Sequence, residues 1–112
     1  MDRLDQLFAR SAREIEAHSP ILGETEAGQQ LLRESAFLLA GLRLWAQDQY
    51  RSDRAVRDLL ERCDTGELHA VARELRSGHT PGAEVAGQFI VTITDKPAAE
   101  LAIVASCAVA AL

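Results

Sequence analysis

Residues 31–46 read LLRESAFLLAGLRLWA, and this stretch decides the fold. Its apolar residues recur at intervals of three and four, the spacing that brings side chains onto one face of an α-helix. From residue 36 to residue 46 the only charged side chain is Arg43. A helix that is apolar over most of its circumference has to be buried on several sides. We therefore predict a long helix, running from Glu24 or Thr25 toward Tyr50, at the centre of a helical bundle.

Shorter segments on both sides of this centre also follow helical periodicity. Ser19-Pro20 ends the first of them, because proline disfavours helical geometry in the residue before it. Ser52 can cap the helix that follows the central one, and Thr80-Pro81 reads as a cap with proline at the first helical position. The predicted segments are Asp2 to His18, Asp53 to Cys63, the residues after Thr65, the residues after Thr80, and Ala98 to Leu112.

One segment fits two kinds of secondary structure. Residues 89–94 read FIVTIT, and β-branched side chains of this kind favour strands. Helix is the favoured interpretation, because a lone strand would lack a partner within this chain. We predict an all-α fold with a single domain over residues 1–112. This domain is a compact bundle of about five to six helices, with one short strand near residues 89–94 as the alternative.

The charge balance argues against nucleic acid as a partner. Among 112 residues, 12 are Lys or Arg and 17 are Asp or Glu, so the net charge is −5. Phosphate backbones are bound by clustered basic residues, and this chain has no surplus of them.

Residue usage indicates the setting of the protein. The charged start of the chain, Met1 to Asp5, does not fit the apolar core of a secretory signal. Cys63 and Cys107 are far apart in sequence and form no CxxC motif, which is typical of free thiols in a reducing compartment. We expect a cytoplasmic protein. Its composition, rich in Arg and without Asn, favours a bacterial source.

The segment LAIVASCAVAAL, residues 101–112, is apolar or small at every position. It is too short to span a bilayer, which takes about 20 residues, so we expect no membrane association. It is either a core helix of its own chain or a contact surface for another protomer. Because a small domain has little surface with which to wrap a helix on all sides, we predict a homo-oligomer, with a dimer favoured, or a complex with another protein. The residues predicted for this interface are Leu101, Val104, Ala105, Ala108 and Leu112.

The sequence contains none of the common catalytic motifs GxGxxG, Walker A, GxSxG and HExxH. Glu14 and His18 are four residues apart and can meet on one helix face, as a metal pair or an acid–base pair would. A histidine at a helix C-terminus is also explained by its favourable interaction with the helix dipole. His69 and His79 are the other candidates for a ligand site, although solvated surface histidines are the simpler interpretation. We predict no metal site and no cofactor.

Three functions are compatible with these observations. The leading hypothesis is a non-catalytic interaction or assembly protein, an adaptor or accessory subunit, that self-associates through its apolar C-terminal helix. The first alternative is a small helical ligand-binding protein or enzyme with a pocket at a protomer interface. The second is a helix-turn-helix DNA-binding protein with its turn at residues 63–66 and residues 67–76 in the groove, although the charges of that helix cancel.

Overall fold

Every regular element in the described part of the structure is helical. The structure is a computed structural model that describes residues 3–48, 51–64, 70, 73–75, 84, 87–88 and 98–112. Helix α1 covers Arg3–His18, a 3₁₀ helix called the connecting turn below covers Pro20–Glu24, α2 covers Glu26–Asp48, α3 covers Asp53–Asp64, and α4 covers Ala98–Ala110. The predicted all-α fold is confirmed. Residues 89–94, and most of the helices predicted after Thr65 and Thr80, lie outside the described residues.

Helix α2 is the centre of the structure, as its sequence predicts. It packs against α1, the connecting turn, α3 and α4. Every residue from position 34 to position 44 except Phe37 is buried. The core forms where four helices meet, and its side chains are almost completely inaccessible to solvent. Among them are Ile15 of α1, Leu39 and Leu42 of α2, Leu60 of α3 and Val104 of α4, each at most 1% exposed.

Polar side chains before α2 and α3 fix where these helices begin. The hydroxyl oxygen of Thr25 accepts a hydrogen bond from the backbone N–H of Gly28 at 3.0 Å. The hydroxyl oxygen of Ser52 accepts one from the backbone N–H of Arg54 at 3.3 Å. Each bond satisfies an amide of the first helical turn that has no partner within the helix. Helix α3 therefore begins at Asp53 as predicted, whereas α2 begins at Glu26, one residue after the later of its two predicted starts, because Thr25 is the cap.

The connecting turn is held from both ends. At its start, the backbone N–H of Ser19 donates to the carbonyl oxygen of Ile15 at 2.9 Å. At its end, the side-chain amide of Gln29 donates to the carbonyl oxygen of Gly23 at 3.1 Å. The side chain of Leu22 packs against the core between these bonds. Helix α2 then passes so close to the turn that a Cβ atom at Gly28 would overlap the carbonyl group of Leu22.

Gly28→Ala should lower the free energy of unfolding by about 1–2 kcal/mol, because the backbone of the turn must move away from the new methyl group. The matched control is Gly23→Ala, since a Cβ atom at Gly23 meets nothing within 4 Å. That change should leave stability unaltered or raise it by up to about 1 kcal/mol, by restricting the unfolded chain. Urea denaturation of both variants measures the difference. Equal stability of the two variants would contradict the close packing at Leu22.

Candidate functional site

A charged side chain lies buried between the two longest helices. Arg43 occupies the middle of α2 and is only 4% exposed. Its guanidinium group reaches across to α1, where Nη1 donates to the hydroxyl oxygen of Ser11 at 3.1 Å and Nη2 donates to Oε2 of Glu14 at 2.6 Å. Ser11 and Glu14 are three residues apart, so both face α2 from adjacent turns of α1. The spacing of Ser11 and Glu14 along α1 therefore places two hydrogen-bond acceptors within reach of one guanidinium group.

The carboxylate of Glu14 also accepts a hydrogen bond from its own helix. Nε of Arg10 donates to Oε1 of Glu14 at 3.0 Å, so each carboxylate oxygen has a different arginine as its partner. Partial burial by itself would raise the pKa of Glu14. The hydrogen bonds and positive charges of Arg43 and Arg10 outweigh that effect and hold the pKa of Glu14 below its ordinary value. We call Arg10, Ser11, Glu14 and Arg43 the Arg43 cluster.

The Arg43 cluster is built to hold two helices together rather than to perform chemistry. The carboxylate of Glu14 accepts hydrogen bonds from two arginines, so this carboxylate is a poor base and a poor metal ligand. Nε of Arg43 is buried and has no acceptor within the part of the chain that the structure describes. A second connection lies at one end of the same helix pair, where Arg3 of α1 donates to Asp48 Oδ1 at 3.3 Å and Gln47 Oε1 at 3.0 Å.

The histidine candidates do not form a site in the described residues. His18 is exposed at the end of α1, while the Glu14 carboxylate binds the two arginines instead. His69 and His79 lie outside the described residues, as does most of the region from residue 67 to residue 76 considered for DNA binding. Over the ranges that the structure describes, no group of three or more His, Cys, Asp or Glu side chains is placed to hold a metal ion.

Helix α4 has two different faces, although residues 101–110 are apolar or small at every position. Three of the residues predicted for an interface, Val104, Ala105 and Ala108, are at most 1% exposed and belong to the core of their own chain. Leu112 is partly buried against the same core, and the side chain of Leu101 lies outside the description. Cys107 is half-buried, and burial raises the pKa of its thiol. A thiol of this kind is poorly suited to nucleophilic chemistry.

The opposite face of α4 is open to solvent. Ile103, Ser106 and Ala110 are exposed there, at positions i, i+3 and i+7 of the helix. We call these three residues the α4 outer stripe. Ile103 is 49% exposed, and the only other large hydrophobic side chain exposed to a similar degree among the described residues is Ile21, at 70%. The stripe combines one large apolar side chain with two small ones.

Two important residues were not recognised as such from the sequence alone. The signal for Arg43 was present, because the single charge of the apolar stretch from residue 36 to residue 46 must find a partner once buried. Its partners on α1 could not be read from spacing, since 32 and 29 residues separate Arg43 from Ser11 and Glu14. Ile103 carried little signal, because residues 101–110 are all apolar or small and the one charge of α4, Glu100, lies before them.

Comparison of the chain with protein-family models, with curated proteins and with solved structures found no match. Within the described ranges, none of the helices combines the length and the apolar character that crossing a bilayer requires.

The two arginines bound to Glu14 should differ in their energetic coupling to it. In a double-mutant cycle, Glu14→Gln with Arg43→Met should give a coupling energy of about 1–3 kcal/mol, because the guanidinium is buried. The matched cycle of Glu14→Gln with Arg10→Met should give less than about 0.5 kcal/mol, because the Arg10 side chain is 55% exposed. Thermal and chemical denaturation supply both values. Equal coupling energies would show that burial of Arg43 does not strengthen its pair.

The lowered pKa of Glu14 predicts a loss of stability in acid. The unfolded chain, with a glutamate pKa of about 4.3, binds the proton more readily than the folded chain does. The stabilisation is therefore complete above the unfolded-state pKa and is lost as the pH falls through the lower, folded-state pKa. As the pH falls from the unfolded-state pKa of Glu14 through its folded-state pKa, the difference in free energy of unfolding between the wild type and Glu14→Gln should become smaller. Urea denaturation at a series of pH values measures this difference. A difference that stays constant as the solution is acidified would contradict the lowered pKa of Glu14.

Proposed function

We propose that this protein is a non-catalytic adaptor or accessory subunit that self-associates as a dimer through the α4 outer stripe. The observation that carries the proposal is the 49% exposure of Ile103 on a helix whose opposite face is buried in the core. Ile103 is the large apolar member of an exposed stripe along one helix face. Exposed apolar patches mark sites of protein association. A bacterial, cytoplasmic setting is part of the same proposal, and its support is the composition and the spacing of the two cysteines.

The α4 outer stripe is suited to pairing with a copy of itself. If two α4 helices meet about a twofold axis, Ile103 of one protomer lies over the small residues Ser106 and Ala110 of the other. The reverse contact forms at the same time, as an isologous interface requires. Small side chains let helix backbones approach closely, so that a large side chain can fill the space above them. One face of α4 therefore carries both the large side chain and the small residues over which the same side chain of a second protomer can pack.

The interior residues of α4 have an indirect role in this proposal. Val104, Ala105 and Ala108 are held in the core, and this packing fixes the direction in which Ile103 points. A surface that is already rigid before binding loses less conformational entropy on association. One helical stripe is smaller than the roughly 800 Å² per partner of a standard interface. We therefore expect a weak dimer that dissociates on dilution.

Ile103→Asp should produce a folded monomer, because a charge would lie in the proposed contact but at an exposed position in the free chain. Native mass spectrometry across a dilution series gives the oligomeric state, and far-ultraviolet circular dichroism gives the helix content. Ile21→Asp is the matched control, since it changes the other exposed isoleucine. It should leave the dimer intact. Ala108→Asp should instead unfold the chain, because Ala108 is 0% exposed.

A wild-type protein that is monomeric at every concentration would overturn the proposal. So would an Ile103→Asp variant that remains as dimeric as the wild type.

A further inference from the structure

We infer that the connecting turn is a second contact surface, separate from the α4 outer stripe, which docks against an apolar surface flanked by basic residues on a different protein. The central residue is Ile21, whose 70% exposure is the greatest among the large hydrophobic residues that the structure describes. This surface belongs to another element than α4, so the inference does not depend on self-association.

The turn presents Ile21 in a fixed position. The next residue, Leu22, is anchored against the core, and its backbone N–H donates to the carbonyl oxygen of Ser19 at 3.1 Å. The close approach of Gly28 to the Leu22 carbonyl and the bond from Gln29 to Gly23 hold the other end. An exposed isoleucine on a flexible loop would lose entropy on binding, whereas this one has already been ordered by folding. Rigid apolar side chains of this kind contribute strongly to protein interfaces.

The charges around the turn select the kind of partner. Glu16, Glu24 and Glu26 lie within five residues of Ile21 along the chain and are all exposed. From residue 14 to residue 32 the sequence contains no Lys or Arg. In the described part of the chain, no basic side chain forms an ion pair with any of these three glutamates. An exposed apolar side chain with exposed acidic residues close to it in the chain is complementary to an apolar surface flanked by basic residues.

The acidic residues near the turn disfavour two other binding partners. A second copy of this chain would bring the same acidic end toward the first, and like charges in contact are repelled. An anionic lipid surface would be repelled for the same reason. A basic protein surface is therefore the occupant that the local chemistry supports.

The experiment uses a defined probe, a fluorescein-labelled amphipathic peptide of leucine and lysine about 18 residues long, which forms about five helical turns. Fluorescence anisotropy measures its binding to the full chain. We expect Ile21→Ser to weaken binding at least about tenfold, while Ile103→Ser, which changes the other exposed isoleucine, leaves the affinity unchanged. Binding should also weaken as salt is added. Ile21 is exposed, so folding should be unaffected, and thermal melts check this.

Three results would overturn the inference. The first is an Ile21→Ser variant that binds the leucine–lysine peptide as tightly as the wild type. The second is equal binding of a leucine–glutamate peptide of the same pattern, which would show that charge does not select the partner. The third is a loss of dimer in the Ile21→Ser variant on native mass spectrometry, which would assign the turn to self-association. The first two results leave the proposed α4 contact untouched.

Discussion

The burial of one guanidinium group governs how α1 and α2 lie against each other. Apolar side chains along a helical seam tolerate substitution and small shifts, since many arrangements bury a similar area. A buried charge does not tolerate such shifts, because displacing it from its counter-ion leaves it unpaired in a medium of low polarity. Arg43 meets Ser11 and Glu14 in only one register of the two helices. We therefore infer that the Arg43 cluster contributes more to the choice of arrangement than to the net free energy of folding.

Ile21 and Ile103, the two exposed isoleucines among the described residues, are positioned by their neighbours inside the molecule. Ile103 is exposed because the two residues after it, Val104 and Ala105, are buried in the core. Ile21 is exposed because the next residue, Leu22, packs against the core. In each case an adjacent residue packs into the core, which leaves the isoleucine no route to the interior. The exposed positions are thus a result of how the core is packed. The two surfaces also differ in electrostatic character, because glutamates lie close to the turn in the chain, whereas the three residues of the α4 outer stripe are uncharged.

The fold could be predicted from the sequence to the extent that its signals are local. Helix periodicity, the cap at Ser52 and the break at Pro20 all act within a few residues, and the structure agrees with each. The orientation of α4 could not be predicted, because a helix without a polar face gives no indication of which side meets the core. The Arg43 cluster joins residues distant in sequence, so its pairing depends on tertiary packing that no spacing rule describes.

The arrangement of α1 and α2 also bears on the order in which the molecule assembles. These helices are consecutive in the chain and are joined by a short, well-bonded turn, so they form a helical hairpin in which the contacts nearest the turn are close in sequence. Contacts of this kind form quickly, because little chain entropy is lost in closing a short loop. Helix α4 comes from a distant part of the sequence and packs onto α2 and α3. Its arrival should be a late event in folding, so a newly synthesised chain would present Ile21 before it presents Ile103.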